Sequence, residues 1–326
     1  MFHKLIAALL LVVLGVTPAA AQSSGDSISM GYSNIAGGEL PVWVAAEEGF
    51  FSRHGLTVNS QLISGGANTV AALVSGQIQI ADAGGSEALN AVAGGADLVV
   101  LAQLGPVYPY VLEVASDINT PADLVGKKIG VATFGGSADI ATRVVLRHEG
   151  IDPDQDVTFI ATGSAQNRTA ALLSGAIQAG MAGGPPDTLE LEAQGLHPLW
   201  DLAALKLPAA NTSVIAQRAW VNANRAVAQR YVDALVDSIT HMKQDKPGSV
   251  EVLKQYFKSD DDAAMSATYD FHAVEVAPAQ PLPKAEQFAD AVDQLSVNNP
   301  KIRDIDLTSL LDPSFVQDAL DRGLGG

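Results

Sequence analysis

Short apolar runs alternate along the first two thirds of the chain with glycine-rich breaks and with segments whose apolar positions recur every three or four residues. The runs predict strands at 27–32, 57–62, 78–82, 98–103, 129–133, 157–161 and 178–181. The helical spacing predicts helices at 40–54, 67–75, 86–93, 138–149, 165–174 and 187–194. Such alternation is the pattern of βαβ units, hence an α/β chain with mostly parallel sheets flanked by helices. Beyond residue 215 the pattern changes. Segments 222–245, 249–257, 261–272, 284–294 and 313–322 all carry helical spacing and are expected to pack back onto the first part of the chain.

A repeat sets the architecture. AALVSGQIQIADAGG (71–85) and AALLSGAIQAGMAGG (170–184) align without a gap, 99 residues apart. Each reads as a helix end, a Ser-Gly stop, a short strand and Gly-Gly, and glycine just past the last turn is the expected cap. Two lobes built alike follow from this. VYPYVLEVA (107–115) and NTSVIAQ (211–217) become the two crossings that form a hinge, with lobe 1 at 22–110 and 215–326 and lobe 2 at 111–214. Roughly 305 residues suffice for two compact bodies.

Residues 1–21, MFHKLIAALLLVVLGVTPAAA, lie outside that scheme. Lys4, an apolar core and the small-residue site Ala19-Ala20-Ala21 predict a cleaved signal peptide and a mature start at Gln22. Its apolar run is short for a membrane span, and no other stretch is long enough for one. The chain has no cysteine, which excludes a disulfide scaffold, a thiolate metal site, a cysteine nucleophile and a lipid-modified cysteine. A soluble protein of a Gram-negative periplasm, monomeric and without direct membrane insertion, is the expectation. Loss of Lys4 takes Lys+Arg from 19 to 18 against 36 Asp+Glu, a net charge of −18, so nucleic acid and anionic membrane are poor partners.

Familiar catalytic patterns are missing. TFGGSADI has no lysine after its glycines, and no strand-to-helix joint completes G-x-G-x-x-G. GGSAD and GGSEA do not make a nucleophile elbow. The six histidines show no H-x-x-x-H or E-x-x-H pairing, and Asp260-Asp261-Asp262 lacks EF-hand spacing. No catalytic residue, metal site or cofactor is expected.

GELPVWVAAEEGFFSRHGLTV (38–58), PADLVGKKIGV (121–131), the ALVSG and ALLSG helix ends and LTSLLDPSFVQDAL (307–320) together resemble periplasmic substrate-binding proteins of ABC importers. The similarity is to the nitrate/sulfonate/taurine and thiamine-pyrimidine-precursor type and spans nearly the whole mature chain. It implies a two-lobed type II periplasmic-binding-protein fold that closes on a small molecule and hands it to a membrane-embedded permease. Two alternatives stand beside it. One is an enzyme like the eukaryotic relatives that make a thiamine pyrimidine with a cysteine-rich motif and an active-site histidine. The other is a sensor that presents its ligand to a membrane receptor.

Ligands of open α/β sheets sit at the carboxyl ends of the strands, so the glycine-rich joints supply the candidates. In lobe 1 these are the loop Tyr32-Ser33-Asn34-Ile35-Ala36-Gly37-Gly38-Glu39, then Leu40 and Trp43, and Gly84-Gly85-Ser86. Trp43 either stacks on a flat ligand or packs in the core. Ser86 caps its helix, donates to the ligand, or does both. In lobe 2 they are Phe134-Gly135-Gly136-Ser137, Gly163-Ser164 and Gly183-Gly184-Pro185-Pro186. Tyr108 and Tyr110 either reach the cleft from the first crossing or pack in the hinge. Glu39, Glu87, Asp139 and Asp187 occupy first helical turns, where carboxylates already complement the helix dipole. No Lys or Arg occurs between Arg53 and Lys127, and Arg168 is the nearest candidate cation, facing either the cleft or solvent. The charge pattern therefore predicts a neutral or singly anionic organic ligand, not a highly charged oxyanion.

Overall fold

The computed structural model describes residues 26–325; the expected signal peptide lies outside them. Ten strands form two sheets: β1 (Asp26–Tyr32), β2 (Leu56–Leu62), β3 (Ile80–Ala83), β4 (Leu98–Val107), β5 (Val111–Val114), β6 (Lys128–Val131), β7 (Thr158–Ala161), β8 (Ala179–Ala182), β9 (His197–Asp201) and β10 (Pro208–Gln217). The first sheet runs β2-β1-β3-β10-β4 and the second β7-β6-β8-β5-β9. In each, three strands are parallel and the fourth, β10 or β5, runs antiparallel between its neighbours. Each fourth strand is the first one laid down after a crossing between lobes. The first crossing is only Tyr108-Pro109-Tyr110 long.

Helices cover both faces, so the central strands read as apolar runs instead of alternating. In LVVLAQLGPV of β4 the first eight residues are buried. The expected crossings 107–115 and 211–217 contain β5 and most of β10. The strand β9 was not predicted: HPLWD carries Pro198, which suits an edge strand and breaks the apolar run. The helix expected over 40–54 is two helices, Leu40–Glu47 and Phe50–Arg53, separated at Gly49, whose φ of 74° lies in the left-handed region.

The C-terminal helices pack against the helices of the first sheet. Arg225–Gln244 packs along Leu40–Glu47, and Lys246–Phe257 closes over both. The segment expected as one helix over 261–272 is the helix Asp262–Tyr269 followed by a wider, π-helical turn, Asp270–Val276. That turn reaches from the first lobe to the second.

Candidate functional site

The repeat in the sequence is a repeat in space. The helix Gly66–Val74 leads into β3 and the helix Ala165–Leu173 into β8, with both pairs of bounds 99 residues apart. One glutamine clips each unit together. The Gln79 N–H donates to the Ser29 carbonyl (2.8 Å) while the Ser29 N–H donates to Gln79 Oε1 (2.9 Å). Gln178 and Lys128 repeat this at 2.9 and 3.1 Å. The carboxyl ends of β1 and β3 therefore face those of β6 and β8 across a cleft of about 300 Å³.

Of the candidate residues, Ser33, Asn34, Gly38, Glu39 and Gly84 line the cleft from the first lobe. Gly136, Ser137, Gly163, Arg168, Gly184 and Pro185 line it from the second. Asn68, Glu87, Asp187, Asn211 and His272 also line it and were not among the candidates.

Arg168 is the cation of this cleft. It is 3 % exposed, and its guanidinium makes no ion pair or hydrogen bond among the described residues. Its stem crosses β6 and β8 over Gly130 and Gly180, which are partners in register. A Cβ on Gly180 would lie 3.2 Å from both the Arg168 Cγ and Cδ, and one on Gly130 3.3 Å from the Cγ. The two glycines leave a lane for the side chain. Burial disfavours the guanidinium charge, while Tyr110 and Asp187 support it; an arginine stays protonated under such modest opposition.

Glu87 faces the cleft from the first lobe. Its Oε2 accepts from the Ser86 hydroxyl at 2.7 Å, and Oε1 lies 3.5 Å from where a Cβ on Gly136 of the second lobe would be. Burial raises its pKa. At the hinge, Asn211 Oδ1 accepts from the Ser137 hydroxyl (2.6 Å) and from the Tyr110 hydroxyl (2.9 Å). Tyr110 thus does two things: it lines the cleft and ties the first crossing to β10 of the first sheet.

His272, on the π-helical turn, donates from Nε2 to the Gly183 carbonyl at 2.9 Å, which joins the lobes. Its Nδ1 has no partner among the described residues. Burial lowers its pKa to about 4, so the ring is neutral.

Beneath the first lobe's wall lies a carboxyl pair. Glu39 and Asp82 are buried, and Glu39 Oε2 and both Asp82 oxygens have no donor among the described residues. Burial raises both, Asp82 to about 7 and Glu39 well above its ordinary value, with the Asp82 charge adding to the effect on Glu39. Such a pair holds a proton between its two carboxyls, as like charges in a dry site cannot both persist.

Several candidates do not reach the cleft. Trp43 is fully buried, stacked on Tyr256 at 4.3 Å between ring centroids and edge-on to Tyr32 and Phe257. Leu40 is fully buried in the same core. Burying an indole this way gains a few kcal/mol, more than an open cleft face offers. Tyr108 is buried and donates to Asp290 at 3.3 Å, inside the first lobe. Gly85 is closed in by Ala210 and Phe288, each 2.5 Å from an added Cβ, and Ser86 is turned to Glu87. Phe134 is 62 % exposed, outside the cleft lining. Gly135 gives its N–H to Asp139 Oδ2 at 2.8 Å, and Asp139 also holds Arg143 at 2.9 Å. An internal carboxylate therefore already serves that glycine-rich turn.

Among the described residues, no helix is long and apolar enough to cross a membrane and no cluster fits a metal ion. No curated protein matches the chain by sequence. Many solved structures share its fold. A protein from Bordetella bronchiseptica RB50 is 22 % identical, with a TM-score of 0.76 over 92 % of this chain and 98 % of that one. The alkanesulfonate-binding protein SsuA from Xanthomonas axonopodis pv. citri, bound to MOPS, is 20 % identical with a TM-score of 0.71 over 91 % and 98 %. The periplasmic nitrate-binding protein NrtA from Synechocystis PCC 6803 is 15 % identical with a TM-score of 0.71 over 92 % and 89 %. The fold is that of the periplasmic binding proteins. The family model described as NMT1/THI5 like matches residues 38–247, and the chain belongs to that family.

Proposed function

We propose that the chain is a solute-binding protein of an ABC importer, exported to the periplasm, which captures a small organic molecule between its lobes and passes it to a permease. The observation that carries this reading is the unpaired Arg168 guanidinium, delivered through the Gly130–Gly180 lane into a cleft walled by both lobes. Only a ligand that touches both lobes shifts an open–closed equilibrium. Arg168 supplies a fixed charge on one side, and Glu87 with the 33–39 loop supplies the other. One cation among several carboxylates favours a ligand with a single anionic group over phosphate or sulfate.

Catalysis is less well served. The histidine in the cleft spends Nε2 on a carbonyl and titrates near 4, and the chain has no cysteine to act beside it.

The test is a thermal-shift panel on protein refolded to strip carried-over ligand, using inorganic oxyanions, alkyl sulfonates, aromatic and aliphatic acids, amino acids, pyrimidines and flavins. A ligand at 100 times its Kd stabilises by about 2.7 kcal/mol, a shift of a few degrees for this size. The expected result is a dose-dependent shift with an organic monoanion or net-neutral compound, accompanied by a smaller radius of gyration. Binding that leaves the radius unchanged, or tight binding of phosphate alone, defeats the proposal.

A further inference from the structure

We infer that the cleft selects ligands bearing two opposite groups, an anionic group held by Arg168 of the second lobe and a protonated nitrogen held by Glu87 of the first. This rests on the solute-binding reading and narrows its ligand class to zwitterions.

The argument is one of charge balance inside a single cavity. Arg168 and Glu87 line the same cleft and make no ion pair with each other. Each lacks a protein partner for part of its charge. The Arg168 guanidinium has no hydrogen bond among the described residues. Glu87 is held by Ser86 through one oxygen, leaving Oε1 toward Gly136 of the opposite lobe. The Tyr110 hydroxyl lies within electrostatic reach of both, so the two groups flank one volume. Among the described residues no other cation lines this cleft, and its histidine is neutral.

Arg168 already has Asp187 near it as a partial counter-charge. A ligand that brings only an anion satisfies Arg168 but leaves Glu87, whose pKa burial already raises, to take up a proton or to sit beside a like charge as the cleft desolvates. Either costs affinity, whereas a matched donor turns that cost into affinity. An ammonium or amidinium fits Glu87 Oε1 as a charge-assisted donor. Gly84 and Gly66 leave the room that the Glu87 carboxylate occupies, since an added Cβ would meet it at 2.2 and 3.0 Å. The Ser86 hydroxyl holds it there.

The experiment uses matched probes and the refolded full chain. Calorimetry compares ω-aminoalkanoates of graded length with the corresponding alkanoates, and 4-(aminomethyl)benzoate with 4-methylbenzoate. The amino member of at least one pair is expected to bind about tenfold tighter or more. In Glu87→Gln the gap should close while the affinity for the plain acid holds or rises; Glu87→Ala serves if that variant folds poorly. Plain acids that bind as well as their amino partners overturn the zwitterion inference and leave the binding-protein reading standing. A gap that survives in Glu87→Gln overturns the role of Glu87. Failure of every probe to bind counts against both readings.

Discussion

At Thr69 the first lobe buries a hydroxyl that donates back to the Ile63 carbonyl (2.8 Å) and stays inside its own helix start. The position 99 residues later in the second lobe is Arg168. The frameworks around the two are the same: Gly31 lies under Ile78 as Gly130 lies under Ile177. The glutamine clips also match. What differs is the neighbouring strand. Lobe 1 carries Ala81 and Asp82 where lobe 2 carries Gly180 and Met181. Removing one methyl at 180 opens the lane for a guanidinium. Placing Asp82 instead of a thioether gives lobe 1 a buried acid. A single scaffold thus becomes a cationic half and an acidic half through a few side chains on β3 and β8 and the helices before them.

The largest effect should come from removing the cationic half. Arg168→Gln keeps most of the stem over the glycine lane and deletes the charge. Truncating a desolvated charge that meets an opposite charge costs about 2–5 kcal/mol, so affinity for any anionic ligand should fall by roughly 30-fold or more. Calorimetry with unchanged thermal stability of the apo protein checks it. Undiminished affinity would show that Arg168 is a structural residue.

Next in size is the acidic half. Asp82 rises to about 7 from an ordinary value near 3.8, so the folded state binds a proton that the unfolded state releases. Stability from this group is complete below pH 3.8 and is lost as pH rises through 7. His272 acts in the opposite sense: lowered to about 4, it contributes stability above pH 6.5 that is lost as pH falls toward 4. The two nearly offset each other between pH 4 and 7. Asp82→Asn should lessen the alkaline loss, raising stability at pH 8 by a few kcal/mol, while Glu39 and Glu113, also raised by burial, keep the remainder. Denaturant melts at pH 5 and 8 decide; a variant no more stable at pH 8 than the native chain would mean that Asp82 is ionised and solvated.

Much of this scaffold was legible in the sequence, and the reasons are local. Ser-Gly stops, Gly-Gly joints and apolar runs are short-range signals, so the repeat, the strands from β1 to β4 and from β6 to β8, and the return of the C-terminal helices could be read directly. The misses are long-range. Trp43 looks free on its own helix, but Tyr256 and the helix Arg225–Gln244, some 200 residues on, cover it. Asp82 sits in an apolar strand and gives no sign that Glu39 will be folded against it. Asn211 and His272 come to the cleft only because β10 and the π-helical turn pass there. Arg168 could be named from the absence of other cations, yet its direction depended on Gly130 and Gly180 pairing in register.

That lane offers a sharper, smaller test. Gly180→Ala makes the second lobe match Ala81 of the first. Its Cβ would meet Arg168 at 3.2 Å and Leu172 at 3.3 Å, so the arginine stem must move by a few tenths of an ångström. A cost of about 1 kcal/mol in stability is expected, together with a larger proportional loss of anion affinity. Equal losses in both would say that the methyl disturbs packing without steering the guanidinium.

The smallest effect concerns what joins the unlike halves. Asn211 Oδ1 takes two hydroxyls, Ser137 from the second lobe and Tyr110 from the crossing, and its amide donates to Thr212 at 3.1 Å. Each neutral hydrogen bond is worth about 1 kcal/mol net, and the Ser137 bond ties the start of the helix Ser137–His148 to β10. Ser137→Ala removes that bond alone. It should lower ligand affinity by about fivefold, through faster release, and leave the stability of the ligand-free protein nearly unchanged. Asn211→Ala removes both bonds and should also loosen the free protein, since the half-buried Tyr110 would lose the acceptor of its hydroxyl. If the two variants weaken binding equally and neither changes the free protein, Asn211 serves the closed state only, and the Tyr110 bond contributes nothing to holding the crossing in place.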